Sequence, residues 1–402
     1  MLLSLLGCSD NAEEPIIDEG DGSATVVEFT DADVALAKQL SKFNIDFFKA
    51  VNEVSAPDEN VVVSPLSASL LLSMLANVSD ENTSAEIAKA IGTDNVAGLN
   101  ELSAKYLTIL PKVDKTTAMN FANSLWYQKD YTLNPVFDSV LGEYYSADTL
   151  ARQLQTNDPT VVAEINNWVS DKTEKLIDKI IDYLDPQAYT VMVNALYFKG
   201  AWANPFEADE TEKKEFNGVS GTTTVDMMHK LGLQHYRIAD KYSTVMMEFG
   251  KGSFEAIMLL PDSDVTLDEI LNSEVLYELG EMRFTDDMVD FSFPKFKAEP
   301  AKLNLDDALS SMGITTIGNW QDYSVFTTPV NAFSSIFQKS TIEFKEKGAE
   351  GASVTWGQMV GTAGPDGGEV VIPEINFNRP FMFFVRETTT GAMLFAGKIV
   401  NL

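Results

Sequence analysis

Cysteine, histidine and positive charge are the scarce materials of this sequence. The 402 residues include one cysteine, Cys8, so an internal disulfide and a cysteine-based metal site are both excluded. The only histidines are His229 and His235, in a segment without other ligand spacing. A histidine-dependent hydrolase or a zinc enzyme therefore has little to work with, and both residues read as structural or surface groups. Lysine and arginine number 29 against 60 acidic residues, for a net charge of −31. An anionic surface of that size repels phosphate backbones and anionic lipid, which argues against a nucleic-acid partner. The acidity reads as a solvated exterior. What the chain does have is apolar mass: 45% hydrophobic and 10% aromatic residues are ample for a sizeable core.

The chain opens on Met1-Leu-Leu-Ser-Leu-Leu-Gly-Cys8, a short apolar run that resembles the lipobox of a bacterial lipoprotein. It lacks a basic leader and a full hydrophobic region, as a truncated start would. The resemblance implies an acylated Cys8 and a protein at the cell surface or outside it, held by lipid to the outer membrane or in the periplasm. Ser9 to Thr25 carries six acidic residues and no basic one. Such a stretch cannot bury enough surface to order itself and reads as a solvated tether. Residues 1–29 are therefore expected to be signal remnant and tether, and 30–402 a single folded domain.

Within that domain, Thr30-Asp-Ala-Asp has the form of a capping box, followed by Leu36, Leu40, Phe43 and Phe47 at helical spacing. Asn60-Val-Val-Val is a short strand, after which Ser64-Pro65 starts a helix apolar nearly all round, as a core helix is. Phe121-Ala-Asn-Ser-Leu-Trp-Tyr-Gln alternates like a strand, and Thr160 to Ile181 carries the stripe of a long helix. Thr190-Val-Met-Val-Asn-Ala-Leu-Tyr-Phe is continuously apolar, which implies a strand covered on both faces. No repeat and no internal linker interrupts the series.

One stretch stands apart. After the strand-like Ser340-Thr-Ile-Glu-Phe-Lys, the run from Glu346 to Thr362 is poor in large side chains at first. Gly348, Ala349, Gly351, Ala352 and Ser353 offer little apolar area to anchor a loop. Read at period two, Ala349, Gly351, Ser353 and Thr355 form a small uncharged face, and Glu350, Ala352, Val354 and Trp356 form the other. A loop that is also written as a buried strand is compatible with two arrangements. The turn-rich Met359-Val-Gly-Thr-Ala-Gly-Pro-Asp-Gly-Gly beyond it is suited to proteolysis.

Ile342-Glu-Phe-Lys-Glu-Lys-Gly-Ala-Glu-Gly-Ala-Ser-Val-Thr resembles the hinge of a serpin reactive-centre loop, and Ile375 to Asn401 is similar to that family's C-terminal signature almost throughout. The resemblance spans about residues 30 to 402. It implies an α+β serpin fold: a large central mixed β-sheet, about eight or nine helices, further sheets and an exposed reactive-centre loop at about 346–372. It implies an irreversible suicide inhibitor of serine or cysteine endopeptidases, acting as a monomer with no cofactor and no metal, and not an enzyme. The target cuts the loop, forms an acyl-enzyme and is carried across the molecule as the hinge enters the sheet. About fifteen residues at roughly 3.3 Å each span on the order of 50 Å, enough to distort the trapped enzyme.

Carried over residue by residue, the hinge is Glu346, Gly348, Ala349, Glu350, Gly351, Ala352 and Ser353. Trp202 and Lys295 fall in the breach, with Lys295 pairing Glu346. Ser64, Ser67 and Asn194 fall in the shutter, together with Gln338, where many members have a histidine. Gly351 stands where the family prefers alanine, and Lys175-Leu176 where it has Gly-Lys. Counting seventeen residues from Glu346 puts the scissile bond at Thr362-Ala363, whereas counting back from Asn378 gives Pro365. The hinge side sets insertion length and favours the first. No lysine or arginine lies between Lys347 and Arg379, so elastase-like targets are expected and not trypsin-like ones. The alternatives are a non-inhibitory serpin, or a surface lipoprotein that binds a partner without any switch.

Overall fold

The computed structural model describes residues 29–298, 305–315, 324–328, 333–339, 341–349 and 371–402, apart from positions 157 and 176. Thr30 caps the first helix, Asp31–Val54, with a reciprocal capping box through Asp33. That helix buries the expected Leu36, Leu40, Phe43 and Phe47. Pro65–Ala76 is the helix apolar all round, and each of its 12 residues is buried. Ser64 is its N-cap, its hydroxyl accepting from the Ser67 amide. Eight α-helices occur among the described residues, packed with two sheets.

The larger sheet has nine strands, among them Gly221–Ile238, Tyr242–Phe249, Phe254–Pro261, Thr285–Pro294, Phe381–Glu387 and Met393–Ile399. The other sheet has seven and mixes parallel with antiparallel pairs; its spine is the strand Ala188–Ala201. On one side that spine pairs antiparallel with Thr117–Gln128, which pairs parallel with Asp148–Arg152.

The spine strand is buried along nearly its whole length because both of its faces are covered. Val191, Val193 and Ala195 join Ala122, Trp126, Val161, Ile165 and Val169 in a small core under the helix Pro159–Lys172. Met192, Leu196 and Phe198, on the alternate face, belong to the main core. Continuous apolarity in this strand thus reports two cores, one on each face.

The helix expected over Thr160 to Ile181 is shorter. It stops at Lys172, where the Thr173 hydroxyl turns back to donate to the Val169 carbonyl. Glu174 and Lys175 then take left-handed backbone, at φ 49° and 64°. Ile177 and Ile181 still reach the small core, but from the irregular segment that follows, so their apolar spacing mimics a helical continuation.

Candidate functional site

The second edge of the spine strand is shared between two segments. Its lower half, Ala188 to Ala195, pairs parallel with Phe333–Lys339. At its head, Gly200 and Ala201 pair antiparallel with Ala349 and Gly348. Among the described residues no strand pairs with Leu196–Lys199 on this edge. The hinge reaches the head through a tight hairpin from the strand Ile342–Lys345, in which Phe344 opposes Ala349 and Lys345 opposes Gly348. Gly348 and Ala349 of the hinge are therefore seated inside the sheet, and Ala349 is 1% exposed.

Gly348 makes that seat possible. Its φ is +139°, and a Cβ there would stand 2.1 Å from the Gly200 carbonyl oxygen. Only a residue without a side chain fits so close to another backbone.

The turn of the hairpin is fixed by Trp202 and Phe206. Their amides donate to the Lys347 and Glu346 carbonyls, both at 2.9 Å, and the Trp202 indole N–H donates to the Lys345 carbonyl at 3.1 Å. The indole lies nearly parallel to Phe249 and Phe344, with centroids 4.3 and 6.0 Å away. Trp202 is thus held by stacking while it reads the hinge backbone by hydrogen bonds.

Glu346 faces outward from the same turn. Its carboxylate lies 3.0 Å from Lys295 Nζ and accepts from the Thr211 hydroxyl at 3.3 Å. Partial burial pushes the carboxyl's pKa up, but its own backbone amide, Lys295 and Thr211 outweigh that and hold it below the usual glutamate range. Lys295 is more than a third exposed, so the pair stabilises the closed turn only modestly, by up to about 1 kcal/mol.

Lower in the sheet, Asn194 is fully buried, and its amide donates to Asn123 Oδ1 at 2.6 Å. Asn123 in turn donates to the Tyr145 carbonyl, tying the sheet to the helix Pro135–Tyr145. Gln338 stands opposite Asn194 in the parallel register. Ser67 Oγ and Asn194 Oδ1 are buried without a partner among the described residues.

Residues 38–402 match the family described as Serpin (serine protease inhibitor). The chain belongs to the serpin family. It is 30% identical to serine protease inhibitor 2 of Anopheles gambiae, over 90% of this chain and 92% of the relative. It is 29% identical to the leukocyte elastase inhibitor of Equus caballus, over 90% and 98%. Among solved structures, the thermophilic serpin Tengpin in its native state superposes with a TM-score of 0.82 at 26% identity, covering 96% of this chain and 99% of that one. Serpins are in the main protease inhibitors and not enzymes.

In this serpin the structure brings Trp202, Lys295, Glu346, Gly348 and Ala349 into one cluster at the head of the central sheet. Ser64 and Ser67 start the core helix, while Asn194 sits within the sheet. Glu350, Gly351, Ala352, Ser353, Thr362, Ala363 and Cys8 lie outside the described residues. On the downstream side the loop is anchored by Glu374–Asn376, which pairs parallel with Asp290 to Ser292. Sequence reading missed Asn123, Phe249 and Thr211. For Asn123 the available signal is an amide inside an otherwise apolar strand; for the other two no local pattern marks them.

Proposed function

We propose that this serpin is a single-use inhibitor of serine endopeptidases, with cysteine endopeptidases as further targets. The observation that carries the reading is Ala349, uncharged and small, already paired with Gly200 at the head of the sheet. The residues that follow keep a small uncharged face at alternate positions, through Gly351, Ser353 and Thr355. The protease attacks at Thr362-Ala363 and forms an acyl-enzyme. Cleavage releases the upstream arm, which extends the two-residue pairing down the edge of Ala188–Ala201 and displaces Phe333–Lys339 as it goes. Deacylation fails once the attached triad and oxyanion hole are pulled out of alignment.

The lack of lysine and arginine between Lys347 and Arg379 directs the loop to proteases with small, uncharged primary pockets, of which elastase is the test case. The similarity to a leukocyte elastase inhibitor supports that choice. Lys295 and Glu346 act as the latch over the hinge. Ser64, Ser67, Asn194 and Gln338 form the joint that must part. Residues 30–402 act as one monomeric unit, tethered through 9–29 to a lipid on Cys8 at a bacterial surface.

Incubation with elastase should yield a complex that survives boiling in SDS, with the loop fragment beginning at Ala363 by mass spectrometry. The cleaved molecule should melt far above the intact one. A serpin cut in the loop with no covalent complex and no gain in melting temperature would be a non-inhibitory member, and the proposal would fail.

A further inference from the structure

The loop that holds the hinge turn is itself held from behind. Between Trp202 and Thr211 it supplies the donors that fix residues 345–347: the Trp202 amide and indole, the Phe206 amide and the Thr211 hydroxyl. Two of its own carbonyls, those of Asn204 and Pro205, accept from the Lys230 ammonium at 2.8 and 3.1 Å. Lys230 is carried on the strand Gly221–Ile238, whose ladder sets it opposite Phe291. The Phe206 ring packs on that same Phe291, with centroids 5.5 Å apart.

The Pro205 carbonyl and the Phe206 amide belong to one peptide unit. In a trans peptide these groups point in opposite directions across a rigid plane. The ammonium that takes the carbonyl on one side therefore aims the N–H, on the other, at the Glu346 carbonyl 2.9 Å away. The two peptide planes that flank Pro205 are related by its φ, which the ring locks, and by its ψ, which is set when both carbonyls converge on one Nζ. Burial pushes the Lys230 pKa down to about 8, against the pull of Glu207 and Glu210, so the group is still the cation at neutral pH and its bonds are charge-assisted.

We propose that Lys230 is a positioning residue of the hinge: it orients the 205–206 peptide that seats the turn, without a hydrogen bond of its own to the hinge among the described residues. The proposal rests on the reading of residues 346–349 as the hinge, so its test observes the hinge in the intact protein, apart from any protease.

Hydrogen exchange at neutral pH, read segment by segment by mass spectrometry, provides that test. Lys230→Met keeps an apolar stem and removes the donors. It should speed exchange of both 203–207 and 342–349 about tenfold, as loss of bonds from a charged donor does, and leave Met393–Ile399 as in the wild type. Lys230→Arg, which can present N–H groups to both carbonyls, should restore the protection. No change in Lys230→Met, or faster exchange confined to 203–207, overturns the proposal. Equal exchange in the arginine and methionine variants does so as well, because it would reduce the lysine to packing. Where Lys230→Met fails to fold, the wild type decides: the Phe206 amide and the segment 342–349 must open at one rate, and a freely exchanging Phe206 amide beside a protected 342–349 refutes the clamp. A wild type that traps no elastase yet shows the coupled exchange would remove the inhibitory reading and leave the role of Lys230 in place.

Discussion

Ala349 is paired with Gly200 at the head of a strand edge whose foot is occupied by Phe333–Lys339. Beneath the Gly200 position a Cβ would meet the Phe249 ring at 2.9 Å, so this seat tolerates little more than backbone on either strand. Ala349→Arg would force a charge into it. Burying an unpaired cation costs several kcal/mol, so the arginine should stay outside and block the strand's entry. The variant should be cut as a substrate, with the SDS-stable complex reduced at least about tenfold. Trapping at wild-type stoichiometry would contradict the insertion mechanism.

Gly348→Ala addresses the same seat through the backbone. The added methyl would sit 2.1 Å from the Gly200 oxygen in a positive-φ conformation, so the hinge should be expelled. The expected loss is about 1–3 kcal/mol, read as a lower urea midpoint for the intact protein. An unchanged midpoint would mean that residues 348–349 do not occupy the sheet in solution.

Acid should loosen the turn. The Glu346 carboxyl is held below its usual pKa, so the unfolded chain takes up its proton first as pH falls. Its contribution is full above the usual glutamate range and is lost as pH falls through the lowered folded value. Melting curves of wild type and Glu346→Gln should therefore differ near neutrality and converge in acid, by up to about 1 kcal/mol. Curves offset by the same amount at all pH values would place the stabilisation elsewhere.

Lys175 holds a left-handed conformation at φ 64°, just past the helix Pro159–Lys172. Its amide donates to the Ser170 carbonyl at 2.8 Å, a helix-ending arrangement that glycine adopts without steric cost. Lys175→Gly should raise stability by about 0.5–1 kcal/mol, after allowance for the greater freedom of glycine in the unfolded chain. A lower melting temperature would show that the lysine side chain contributes more than its backbone costs.

Much of this was legible beforehand because the chemistry involved is local. The Thr30 cap, the all-apolar helix after Ser64 and the two-faced burial of the spine strand follow from periodicities that depend on neighbours in sequence. Of the small residues at alternate hinge positions, Ala349 lies in a two-residue strand, and Gly351, Ser353 and Thr355 fall outside the described residues. Other features arise only when distant segments meet. Trp202 depends on Phe249 and Phe344, and Asn194 on Asn123. Apolar spacing alone makes the helix after Pro159 too long, because Ile177 and Ile181 keep that spacing after the backbone has left the helix.

The stretch of edge at Leu196–Lys199, which no strand among the described residues pairs, also bears on timing in the proposed mechanism. If the proposed insertion holds, with Gly348 and Ala349 already docked a new strand starts without a search, and no strand among the described residues competes for the next few rungs. Resistance begins only at Ala195, where Lys339 and the six residues before it must be peeled from the spine one pairing at a time. On the proposed mechanism, whether a captured protease is disabled or hydrolyses its way free would then be decided by how fast that seven-residue seam unzips, measured against the lifetime of the ester.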